Sequence, residues 1–140
     1  MPYDPKHPLL DWYRNSGVRR ANKPTDKDGA IWQPDFTDPP YLKFWGELVA
    51  AAGERYDGMP DLDTVDIPSI GYWGEGWSPY MPPFPYQKAA IEIWLDSVKR
   101  TPLLMNFDEQ QALTYGTEHG AGWRVDCLRR GRATSKTSGI

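Results

Sequence analysis

Apolar and polar positions along the chain change period several times, and each change predicts an element. Over residues 39–55, Leu42, Trp45, Val49 and Ala52 recur three or four apart, which puts them on one face of a helix. Asp38-Pro39-Pro40 supplies its start. Asp38 is a candidate acceptor for a free backbone N–H, and proline suits a first turn because its missing donor would be unpaired there anyway. Asp57-Gly58-Met59-Pro60 ends it. Residues 64–73 change to a β-branched pattern with Val65, Ile67 and Ile70, which predicts a strand. Pro68 is its weak point, since proline cannot donate to a ladder. A second apolar stripe, Ala90, Ile93, Trp94 and Val98, predicts a helix over about 86–99. Residues 101–107 predict a second strand. Asp108-Glu109-Gln110-Gln111 resembles a capping box with Asp108 as cap, opening a third helix that reaches His119 and stops at Gly120. Residues 122–128 predict a third strand. Ahead of these elements lie a short helical run around Leu9 to Tyr13 closed by Gly17, a polar basic loop over 18–29, and an extended piece over 30–34.

Helix and strand therefore alternate. Connections of about 30 and about 15 residues between successive strands demand parallel crossovers, which are nearly always right-handed. The expected class is α/β with a parallel sheet. A doubly wound sheet would carry a glycine-rich phosphate loop after its first strand, and no G-x-G-x-x-G or G-x-x-x-x-G-K-[ST] occurs. Instead polar or acidic residues follow every strand: Glu75 the first, Asp108 and Glu109 the second, Asp126 the third. In a (β/α)₈ TIM barrel those positions share the C-terminal rim that holds the active site. A full barrel needs roughly 250 residues. The expectation is a partial barrel with parallel strands over residues 1–128, followed by a polar, frayed tail over 129–140.

Composition adds a candidate chemistry. The chain of 140 residues has 7 Trp, 8 Tyr, 14 Pro and 13 Gly, and the aromatics gather in Pro/Gly segments. Aromatics on loops line binding surfaces or pack the undersides of the loops, and composition leaves both open. A net charge of −3 argues against nucleic acid as a partner. The basic cluster Arg129, Arg130, Arg132 and Lys136 belongs to the predicted tail. A single cysteine, Cys127, excludes an internal disulfide and a multi-cysteine metal site. His7 and His119 are lone histidines, and Asp61, Asp63 and Asp66 match a calcium loop only superficially, because glycine and the distal glutamate are misplaced. No metal and no cofactor is expected. No stretch approaches a membrane span, and Met1-Pro2-Tyr3-Asp4-Pro5 does not read as a signal peptide.

Five blocks carry a resemblance in order: Trp32-Gln33-Pro34-Asp35-Phe36-Thr37-Asp38-Pro39-Pro40-Tyr41-Leu42; Gly53-Glu54-Arg55-Tyr56-Asp57-Gly58; Asp66-Ile67-Pro68-Ser69-Ile70-Gly71-Tyr72-Trp73-Gly74-Glu75; Pro102-Leu103-Leu104-Met105; and Gly120-Ala121-Gly122-Trp123-Arg124-Val125-Asp126. Together, over about residues 8–128, they resemble the β-galactosidase-like glycoside hydrolase barrels, closest to a poorly characterised bacterial domain family with that fold. The Arg-Tyr-Asp-Gly and Gly-x-Trp-Gly-Glu blocks are the most specific. The resemblance implies that residues 64–73 are barrel strand four and that the chain covers about strands three to six. It implies the acid/base glutamate at the end of strand four, where Glu75 matches, and a nucleophile at the end of strand seven, which nothing here matches. The clan's Asn-Glu pair reads Gly74-Glu75. The resemblance also implies carbohydrate as the partner, with the remaining barrel strands outside this chain, and an extracellular or periplasmic location.

Glycoside cleavage needs one carboxyl group to protonate the leaving oxygen and another to attack the anomeric carbon or activate water. Glu75 lies between Trp73 and Trp77, and apolar aromatic walls favour the protonated acid. The competing role is a turn cap or an ion pair with a rim arginine. Asp108 and Glu109 are candidates for the second carboxylate, although Asp108 is equally explained as a cap. Asp126 is a substrate candidate, or the partner of Arg124 in an ion pair. Trp73, Trp77, Tyr80 and Trp123 are candidate sugar platforms, because pyranose C–H faces stack on aromatic rings. Trp45 and Trp94 fall on helix stripes and read as core. Two functions follow: a glycoside hydrolase, or a non-catalytic carbohydrate-binding or scaffold barrel with an aromatic rim. A partial barrel leaves open sheet edges, so the isolated segment is expected to be marginally stable and catalytically silent.

Overall fold

The computed structural model describes residues 10–21, 34–67, 70, 81–106 and 110–125. Along the chain run α1 (Asp11–Arg14), α2 (Pro39–Tyr56), β1 (Val65–Asp66), α3 (Phe84–Ser97), β2 (Leu103–Asn106), α4 (Gln110–Glu118) and β3 (Gly122–Arg124). The strands form a parallel sheet in the order β1-β2-β3. Val65 is level with Leu103, Asp66 with Leu104, and Leu104, Met105 and Asn106 with Gly122, Trp123 and Arg124. A helix joins each neighbouring pair, as a parallel connection requires. The described residues therefore adopt the expected α/β class.

Side chains alternate across a strand, and this sheet divides them sharply. Ile67, Leu103 and Met105 turn to one side and form a core with Ile91 of α3, Val98 just beyond it, and Ala112 of α4. Asp66, Leu104, Asn106, Gly122 and Arg124 turn to the other side, and none belongs to either apolar cluster. The second cluster gathers Val18, Phe36, Tyr41, Ile70 and Ala90 around the first turns of α2 and α3.

Helices α2 and α3 run in the same direction, since Gly46 meets Ile93 and, further along both, Gly53 meets Ser97. Trp45 and Trp94 pack edge to face between them with ring centroids 6.2 Å apart, as their helix-stripe positions predict. Gly53 sets the closest approach. A Cβ there would stand 2.2 Å from the Ser97 carbonyl oxygen, which is backbone and cannot rotate away. Gly53→Ala should force the helices apart and lower stability by about 2 kcal/mol, the usual scale for overpacking, despite alanine's better helix propensity. Urea denaturation measures this directly, and an unchanged midpoint would mean that the contact is not tight.

Three predicted elements differ in detail. The strand expected over 64–73 is short: β1 covers Val65–Asp66, and the Ile67 N–H that follows donates to the Leu104 carbonyl at 2.9 Å. Pro68, which follows, has no N–H to offer. Pro68, Ser69 and residues 71–80 lie outside the described residues, and Ile70 is buried in the second cluster. Helix α3 begins at Phe84 rather than near Tyr86 because Pro83 and Pro85 occupy its start, where the missing N–H costs nothing. Asp38 precedes α2 as expected but does not cap it with its side chain. Its carboxylate instead accepts the Arg19 backbone N–H at 2.7 Å and the Arg19 Nε–H at 3.0 Å.

Candidate functional site

In parallel α/β folds, ligands gather at the carboxyl ends of the strands. Here each of the three strands ends in a polar residue on the side opposite the helix-packed core: Asp66 on β1, Asn106 on β2, Arg124 on β3. Arg124 Nε lies 2.7 Å from Asp66 Oδ2. Because β1 and β3 are not neighbours and adjacent strands stand roughly 4.8 Å apart, the guanidinium reaches over β2 to make this contact. Asn106 is level with Arg124 on the strand between. The pair is neither buried nor free, with the Arg124 and Asp66 side chains 31% and 46% exposed. Such a half-exposed pair contributes little to folding, because ordering the long Arg124 side chain offsets much of its attraction. Its position brings a carboxylate, an amide and a guanidinium together on one sheet face. A carboxylate accepts hydrogen bonds, a guanidinium donates them and an amide does both.

Of the residues singled out from the sequence, Glu75, Trp73, Trp77, Tyr80, Asp108, Glu109 and Asp126 lie outside the described residues. Trp123 is described. It is 61% exposed and, being level with Met105, belongs to the helix-packed side of the sheet rather than to the side of Asp66 and Arg124. Arg124 has Asp66 as a described partner, and the Arg124–Asp126 pairing considered above falls on Asp126, outside the described residues. Asp66 and Asn106 were missed by inspection of the sequence. In the sequence Asp66 stands out only within the superficial calcium-loop match and at the start of a resemblance block. The available signal was a polar residue at an alternating position in each apolar strand.

A second polar group sits at the start of α2, on the side of the strand carboxyl ends, as its neighbour Ile70 beyond β1 shows. Arg19 reaches Asp35 Oδ2 at 3.4 Å besides Asp38, and Asp35 Oδ1 accepts both the backbone N–H and the hydroxyl of Thr37, at 2.9 and 2.7 Å. Burial, helped by the Asp38 charge, pushes the Tyr13 phenol up to about 12. These groups satisfy one another and fasten the 18–21 segment to α2.

At the opposite end of the sheet, a cavity of about 380 Å³ is lined by Ala52, Tyr56, Met59, Leu62, Val65 and Trp94, among others. Its lining includes Asp57, whose carboxylate oxygens are already engaged. Asp57 accepts backbone N–H groups from Lys99 at 2.9 Å, Arg100 at 3.0 Å and Thr101 at 2.8 Å. These bonds hold its carboxyl far below the ordinary carboxylate range, the one from Lys99 contributing most and burial working against them. The Thr101 hydroxyl accepts the Gly58 N–H at 2.7 Å, and the Arg100 guanidinium donates to the Asp57 carbonyl. This knot ties the end of α2 to the approach to β2.

Among the described residues, no group of three or more His, Cys, Asp and Glu could hold a metal ion, and no helix is long and apolar enough to cross a membrane. The chain matches no family model, no curated protein and no solved structure.

Proposed function

We propose that this chain is a segment of a (β/α)₈ barrel that acts on carbohydrate at the carboxyl ends of its strands, with Glu75 as the acid/base. The reading rests first on one observation: Asp66, Asn106 and Arg124 end three parallel strands on the side away from the helix-packed core. In a barrel, that side is the interior, and its carboxyl end is the floor of the active site. The resemblance to β-galactosidase-like barrels adds Glu75, nine residues past β1, and the aromatic residues Trp73, Trp77 and Tyr80 near it in sequence. In this mechanism Glu75 protonates the glycosidic oxygen as the bond to the anomeric carbon breaks. A second carboxylate, from Asp108, Glu109 or a later strand, attacks that carbon or activates water.

The alternative is a carbohydrate-binding or scaffold barrel without turnover, in which the strand-end groups and the aromatic residues bind sugar and no bond is broken. Assaying the full-length protein on aryl glycosides while measuring sugar binding by calorimetry separates the two. Turnover with binding supports the hydrolase; binding alone supports the scaffold. Absence of both across gluco-, galacto-, manno- and xylo-configured sugars sinks the carbohydrate reading.

A further inference from the structure

We propose that Asp66 is a specificity residue, which turns the site toward neutral sugars by holding the Arg124 guanidinium. The inference rests on the carbohydrate reading and deepens it. Arginine is the usual partner of a ligand carboxylate, because its planar fork matches both oxygens. Here Arg124 Nε already lies 2.7 Å from Asp66 Oδ2 in an ion pair. An acidic sugar arriving at the strand ends would meet the negative charge of Asp66 beside the guanidinium. A neutral sugar faces no such conflict. One hydroxyl can donate to the Asp66 carboxylate while another accepts from the guanidinium, and the ion pair stays in place. Asn106, level with Arg124 on the middle strand, is a neutral amide and adds no charge beside the pair. Asp66 and Arg124 are only partly exposed, so solvent screens their charges incompletely and a one-unit change is felt by a ligand.

The test compares each neutral methyl hexoside with the hexuronide of the same configuration, by calorimetry on the full-length protein at low salt. The wild type is expected to bind the neutral member more tightly. Asp66→Asn is nearly isosteric and raises the local charge by one unit. It should move the affinity ratio toward the uronide by about tenfold, a shift that shrinks as salt is added. Asn106→Asp should move the ratio the opposite way, and it carries the test if Asp66→Asn fails to fold by circular dichroism. A wild-type preference for uronides, or a ratio that neither substitution moves, overturns the role of Asp66 while leaving the carbohydrate reading intact. Failure of every sugar to bind removes both.

Discussion

Asp57→Ala is expected to lower the melting temperature by about 5 °C or more, a large effect for a domain of this size. The side chain accepts backbone N–H groups from Lys99, Arg100 and Thr101, and so joins the end of α2 to the chain entering β2. Alanine leaves those donors without their partner and loosens the chain that enters the central strand. Asp57→Asn keeps one acceptor oxygen and should fall between. The same bonds predict a pH dependence. In the folded chain the Asp57 carboxyl is held far below its ordinary value of 3.8. A group whose pKa is depressed on folding stabilises the fold above its unfolded pKa, and that contribution fades as acid protonates it. The gap in melting temperature between wild type and Asp57→Asn should be constant above about pH 4.5 and narrow as pH falls from 4 toward 2. A gap that persists unchanged at pH 2 would show that the charge is not what the three N–H groups hold.

The second large effect concerns Glu75. If it is the general acid, Glu75→Gln should cut turnover about a hundred- to ten-thousand-fold on alkyl glycosides, whose leaving groups need a proton. On dinitrophenyl glycosides, whose leaving group departs unaided, cleavage of the glycosidic bond should suffer far less. The basic limb of the pH–rate profile should also disappear. A purely structural role would slow both substrates equally and leave the shape of the profile alone. Equal losses on both substrates would therefore remove Glu75 from the chemistry.

The sequence pattern carried the alternation of helix and strand, because helix stripes such as Leu42, Trp45, Val49 and Ala52 and the compact run Leu103-Leu104-Met105 are local signals. Parallel pairing followed from connection lengths alone. The contacts that organise the strand ends were not legible, since they join residues distant in the chain. Asp66 meets Arg124 only once β1, β2 and β3 are laid side by side. Asp57 followed by Gly58 looks like an ordinary helix terminator, and nothing near it announces that its oxygens serve Lys99 to Thr101. Asp38 failed as a cap for the same reason: Arg19, from an earlier segment, outcompetes the local N–H groups. The barrel expectation reaches beyond the three described strands, whose order and direction suit a barrel and an open sheet alike.

The most direct test of a carbohydrate site at the strand ends is an NMR titration of the full-length protein with neutral methyl hexosides, following backbone amides. The account predicts shifts that saturate with sugar and gather at Asp66, Ile67, Asn106 and Arg124, with the Tyr56, Met59 and Leu62 end of the sheet unmoved. Shifts centred on the Tyr56–Leu62 cavity, or none with any sugar, would contradict it.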